Sequence, residues 1–104
     1  MNIGTGKTVY ENVLAVDSDG NPYTASTFNS RFFIDGALTS GMTLNISLSD
    51  DVSAIFSASF SANTTGFHQF ELKNNITNVI YMSDIYNVKP DNELTGGAVV
   101  YVGL

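Results

Sequence analysis

The sequence predicts an all-β fold, a small antiparallel β-sandwich of about seven strands. Three observations predict it. Several short runs alternate apolar and polar residues with a period of two, the pattern of half-buried strands. Clusters of Gly, Asn, Asp and Pro interrupt the chain roughly every 8–12 residues, the spacing of a sandwich rather than of helical units. No segment sustains a 3.6-residue apolar period, so helix is expected to be nearly absent.

The elements follow in order. Residues 1–6 hold two glycines and small polar residues, and are expected to form a flexible lead. Lys7–Val16 reads as the first strand, with Tyr10, Leu14 and Val16 opposed to Val9, Val13 and Ala15. Asp17-Ser18-Asp19-Gly20-Asn21-Pro22 is a dense turn cluster, because Asp and Asn bond their own backbone and Gly and Pro set special dihedrals. Phe28–Asp35 is the second strand, with Phe28, Phe32 and Ile34 on one face. Met42–Leu48 is the third, alternating Met42, Leu44, Ile46 and Leu48 inward.

Ala54–Leu72 carries the clearest pattern. Ala54, Phe56, Ala58 and Phe60 share one face; after Asn63-Thr64-Thr65-Gly66, His68, Phe70 and Leu72 share another. Two such runs around a Gly-containing turn predict a β-hairpin. Val79–Val88 reads as one further strand, with Val79, Tyr81 and Ile85 opposite Ile80, Met82, Tyr86 and Val88. It is stopped at Lys89-Pro90, since Pro cannot continue a ladder inside a sheet. Residues 91–104, with Ala98–Val102 between glycines, form a C-terminal segment that adds a seventh strand or docks on a neighbour.

Bulk properties narrow the function classes. With 104 residues the chain fits a single domain, 1–104. The 43% hydrophobic residues, seven Phe and five Tyr among them, supply one core. There is no Cys, which removes disulfides, thiolate metal sites and a Cys nucleophile. Ten acids against four bases give a net charge of −6, a poor match to a phosphate backbone, so nucleic acid is not an expected partner. No run approaches the ~20 apolar residues of a membrane helix. The N-terminus lacks the apolar core of a signal peptide, so synthesis and use in the cytoplasm is expected.

Several motifs carry both a functional and a plainer reading. Asp17, Asp19 and Asn21 place oxygen ligands at alternate positions, like the first half of a calcium loop, but the closing Glu is missing and Pro22 follows. They are a weak metal candidate beside a strong turn reading. His68 is the single histidine and shares the face of Phe70 and Leu72, which points to a scaffold role rather than catalysis. Gly4-Thr5-Gly6-Lys7-Thr8 contains GKT, but the Gly that a P-loop needs five residues upstream is replaced by Met1. Asp50, Asp51 and the remaining acids read as strand-end or outward positions without a paired carboxylate. Three Asn-x-Ser/Thr triplets, at Asn45, Asn63 and Asn75, are expected by chance in so Asn- and Ser/Thr-rich a chain. No catalytic residue and no cofactor is expected, and the chain reads as non-enzymatic.

The run Val16–Pro22, the Ile34-Asp35-Gly36 turn and Thr64-Thr65-Gly66-Phe67-His68-Gln69-Phe70 together resemble immunoglobulin-like β-sandwich domains. In these an acidic DGNP turn follows the first long strand, and a TG-aromatic-x-aromatic run opens a late one. The Ser83-Asp84-Ile85-Tyr86-Asn87-Val88 ending is similar to small immunoglobulin-like proteins of tailed-bacteriophage virions. The chain departs from antibody-type domains in having no Cys pair and no Trp. The resemblance implies a structural virion component: a capsid decoration, head-fibre, neck or tail accessory protein. Such a protein would bind other virion proteins and its own symmetric copies. Lys7, Val9, Val99, Val100, Tyr101 and Val102, at the two ends of the chain, are the expected interface residues. The rival expectation is a carbohydrate- or host-surface-binding module, using exposed Tyr or Phe beside Asn and Asp.

Overall fold

The computed structural model describes residues 2–90 and 99–103. Its strands are β1 (Asn2–Gly4), β2 (Thr8–Leu14), β3 (Phe28–Ile34), β4 (Ala37–Leu38), β5 (Asn45–Asp50), β6 (Ile55–Ser61), β7 (Gly66–Asn74), β8 (Ile80–Met82), β9 (Tyr86–Lys89) and β10 (Val99–Gly103). No helix occurs among the described residues. One sheet runs β1-β9-β7-β3-β4, with β8 also paired to β7; the other runs β10-β2-β6-β5. The two sheets pack as a sandwich. The orders β2-β6-β5 and β3-β7-β9 are those of the B-E-D and C-F-G strands of an immunoglobulin-like sandwich. Seven strands have four residues or more; β1, β4 and β8 are the short pieces beyond the expected seven.

The expected hairpin at Ala54–Leu72 is not one. β6 pairs with β2 and β5, whereas β7 pairs with β3, β8 and β9, so the two runs lie in opposite sheets. The physical reason is their matching apolar faces. A hairpin would set those faces side by side; crossing between sheets sets them face to face, where each buries the other. Ala62 marks the crossing. It is fully buried, and its N–H and C=O are still bonded to Lys7 O (2.9 Å) and Gly6 N (2.8 Å) before the chain leaves the sheet. The face assignments themselves hold: Ala54, Phe56, Ala58, Phe60, His68, Phe70 and Leu72 are all buried.

Phe60 sits at the middle of this contact. Its ring packs edge-on to Phe32 (4.9 Å between centroids) and Tyr86 (5.8 Å), and parallel to the His68 imidazole at 5.9 Å. Edge-on pairs suit the ring quadrupole and add to simple area burial. Phe28 and Phe56 repeat the edge-on arrangement nearby, at 5.1 Å.

Three further expectations change. Asn2–Gly4, expected in a flexible lead, is a strand running parallel to β9, with Ile3 wholly buried. Val79–Val88, expected as one strand, is two: β8 and β9 pair with separate stretches of β7, and Ser83–Ile85 interrupts them. Leu48, expected inward, is 42% exposed where a register shift between Leu48 and Asp50 breaks the β5 ladder. At the C-terminal end, Val99–Gly103 runs parallel to Tyr10–Leu14 of the same chain; residues 91–98 lie outside the described ones.

The Asp35-Gly36 turn joins β3 to β4 with φ of 52° and 80°, the left-handed pair that a tight two-residue hairpin needs. Asp35 also fixes the start of β7: its N–H donates to Phe67 O (2.8 Å) and its carboxylate accepts from Phe67 N (2.9 Å). Gly66 beside it has φ of 128°, and a Cβ there would stand 3.0 Å from the Asp35 carboxylate. Gly66→Ala is therefore expected to destabilise the fold by about 1–3 kcal/mol, the usual cost of a strained backbone position. Urea denaturation of the two proteins measures it, and unchanged stability would refute the packing described at this corner.

Candidate functional site

The most unusual chemistry in the described residues is a buried carboxyl group. Glu11 lies on β2 between Val9 and Val13, on the face that turns into the sandwich, and it is 0% exposed. From the opposite sheet the Tyr81 hydroxyl donates to its Oε1 at 2.5 Å and the Tyr86 hydroxyl to its Oε2 at 2.6 Å. Both carboxyl oxygens thus take one hydrogen bond each from the other sheet. A buried charge without such partners would be strongly disfavoured; hydrogen bonds to a charged group are the stronger kind.

The interruption at Ser83–Ile85 makes this arrangement possible. Tyr81 and Tyr86 are five residues apart, which on one continuous strand places them on opposite faces. Ser83 ends the β8 alternation by substituting its side chain for a backbone group. Its hydroxyl accepts from Phe70 N (2.9 Å) and donates to Asp84 O (2.8 Å), while its N–H donates to Phe70 O (2.9 Å). When β9 begins, the parity has switched and both phenols face inward.

Burial raises the Glu11 carboxyl above its ordinary value of 4.5; the two phenol hydrogen bonds pull the other way, and the nearby Asp84 carboxylate adds to the rise. The phenols of Tyr81 and Tyr86 are held above their ordinary value, first by burial and then by their bonds to Glu11. In this conformation Glu11 meets no solvent, so the three groups act as a polar lock between sheets.

The other candidate polar side chains take part in local structure. His68 is fully buried; its Nδ1 lies 3.0 Å from Gly66 O, and its Nε2 has no hydrogen-bond partner. Arg31 and Glu71, opposite each other on β3 and β7, form a two-pronged pair at 2.7 and 2.8 Å on the outer face. Asp17, the first of the weak metal trio, spends its Oδ1 on Asp19 N (2.9 Å) and Asn21 N (3.0 Å). That is turn chemistry. Among the described residues no group of three or more His, Asp or Glu could hold a metal ion.

The expected interface residues fare unevenly. Val9 is 0% exposed and belongs to the core, because its alternation with Glu11 and Val13 points it inward; as an interface residue it is a correction. Lys7 is half-buried at the start of β2, with its backbone bonded to Ala62 and Gly4. Val99, Val100, Tyr101 and Val102 lie in β10, whose backbone is paired with β2 of the same chain.

Two features escaped the sequence reading. Glu11 belonged with the outward acids there; the available signal was an acid alternating with Val9 and Val13. The second is an apolar edge: Ile80 (56% exposed) and Met82 (43%) in β8, with Val79 (50%) before it and Ile85 (52%) after it. An open groove of about 230 Å³ elsewhere, at the β3–β4 hairpin, is lined by Phe32, Leu38, Met42 and Leu44 with Ser30 and Thr39. No protein-family model and no curated protein matches the chain.

Linkage fixes the sign of the Glu11 effect. A carboxyl whose folded value is raised favours the fold most at low pH, below its unfolded value, and that contribution is lost as pH rises through the folded value. Relative to Glu11→Gln, the native protein is therefore expected to lose stability as pH rises from about 4.5. Urea denaturation at a series of pH values checks this; parallel pH profiles would refute it. Tyr86→Phe removes the donor to one buried oxygen and is expected to cost about 1.5–3 kcal/mol at neutral pH. Chemical denaturation again measures it, and a loss well below that range would show that the lock carries little.

Proposed function

We propose that the chain is a non-enzymatic structural component of a bacteriophage virion, a capsid decoration or a head, neck or tail accessory protein that works through protein–protein contacts. One observation carries the contact-making part: the cluster of exposed apolar side chains at Val79, Ile80, Met82 and Ile85. Isolated exposed apolar residues are ordinary, but Ile80 and Met82 are alternate residues on the outer face of an edge strand, and an apolar edge favours a partner. The commitment of Glu11, His68, Arg31 and Asp17 to the fold supports a scaffold reading over a chemical one. The virion part rests on the resemblance of the DGNP turn, the TGFHQF run and the SDIYNV ending, together with the immunoglobulin-like strand order.

The reading has a direct test. Particles purified from a culture carrying the encoding genome, analysed by quantitative mass spectrometry, are expected to contain this polypeptide in many copies. Particles that are complete without it would overturn the virion assignment.

A further inference from the structure

We infer that β8 is a self-pairing edge: it docks antiparallel on β8 of a second copy, joining two sheets across a two-fold axis at Tyr81. The inference rests on the protein–protein reading above and names the partner.

The backbone points to it first. On the β7 side, Asn74 N donates to Val79 O and Ser83 N to Phe70 O, both at 2.9 Å, with Tyr81 opposite Leu72. Antiparallel strands alternate the direction of their polar groups, so the N–H and C=O of Ile80 and Met82 are directed away from β7, toward the open edge. In the β1-β9-β7-β3-β4 sheet, β8 has β7 as its partner and no strand on its other side among the described residues. A two-fold axis at Tyr81 puts Ile80 opposite Met82 of the second copy, and Met82 opposite its Ile80. Each such pair can exchange two backbone hydrogen bonds.

Side chains agree with that register. Ile80 and Met82 are both exposed on the outer face, so the new cross-strand pairs are apolar against apolar. The flanking charges do not oppose the pairing. Glu71 lies beside Met82 and Lys73 beside Ile80 on β7. Across the axis, each row reads acid, Met, Ile, base, with the acid on one copy and the base about 14 Å away on the other, three strand spacings. Like charges never meet in a row. A two-fold interface must be self-complementary, and this short stretch is.

The chain contains no Cys, which makes the register testable by introduced thiols. Ile80→Cys and Met82→Cys proteins, mixed and oxidised, are expected to give a disulfide-linked dimer, with far less from either variant alone. Sedimentation of the native protein at submillimolar concentration is expected to give twice the chain mass, and Ile80→Lys to halve it while leaving the far-UV circular dichroism unchanged. A native monomer with no mixed disulfide would overturn self-pairing and leave β8 to a strand of another protein. A dimer that survives Ile80→Lys would overturn the β8 location. Either failure is distinct from that of the virion reading, which turns on whether particles contain the chain at all.

Discussion

The structure depends on the burial of two apolar faces that belong to consecutive strands. β6 offers Phe56, Ala58 and Phe60; β7 offers His68, Phe70 and Leu72. Every other element is arranged so that these can meet across the sandwich. β2 and β5 flank β6, β3 and β9 flank β7, and the aromatic contacts of Phe60 reach Phe32, His68, Phe70 and Tyr86. Small residues matter as much as large ones here. Ala58 and Ala62 are wholly buried, and a larger side chain at either would meet a packed interior.

Within that apolar layer, Glu11 is the one acidic side chain of the described core. Its desolvation is offset by two hydroxyls aimed at its two oxygens, which tie β8 and β9 to β2 across the sandwich. The lock and the β8–β9 break are therefore one device. Without Ser83 replacing a ladder bond, only one of the two tyrosines would face Glu11, and one carboxyl oxygen would be left without its donor. Polar groups buried in this way are costly when half-satisfied, which is why the break and the lock belong together.

Much of the fold was legible in the sequence, because side-chain alternation reports which face is buried and does so locally. The faces of β6 and β7, the DGNP and Asp-Gly turns, and the existence of β2, β3, β5, β6 and β7 follow from that. Pairing was not legible in the same way. Alternation cannot distinguish a hairpin from a crossing between sheets, since both need a short polar turn and both bury the same residues. The Val79–Val88 run departs for a related reason: its alternation does not continue through Ser83, whose hydroxyl takes over a backbone role that residue type alone does not announce. Glu11 was missed because acids are usually outward, although its neighbours Val9 and Val13 marked the inward face. Ile3 was missed because a three-residue strand has too little sequence to show a period. The apolar cluster at β8 could be read only after the strand was known to stand at an edge.

How the other edges are finished bears on that cluster. Exposed strand edges attract other strands, and proteins blunt them with short strands, bulges, charges or cover. Here β2 is covered by β10, β5 carries the irregularity between Leu48 and Asp50, and β4 is two residues long. β1 turns Ile3 and Gly4 into the interior, leaving Asn2 outside. β8 is short too, but within its three residues it carries no Lys, no Pro and no bulge, and its Ile and Met face solvent. The nearest charges, Glu71 and Lys73, sit one strand inward, where they frame the apolar pair instead of interrupting it. Among the described residues β8 is thus an edge strand whose outward pair is wholly apolar, the composition that a covering contact favours. The self-pairing proposed for β8 rests on that outward-facing apolar pair.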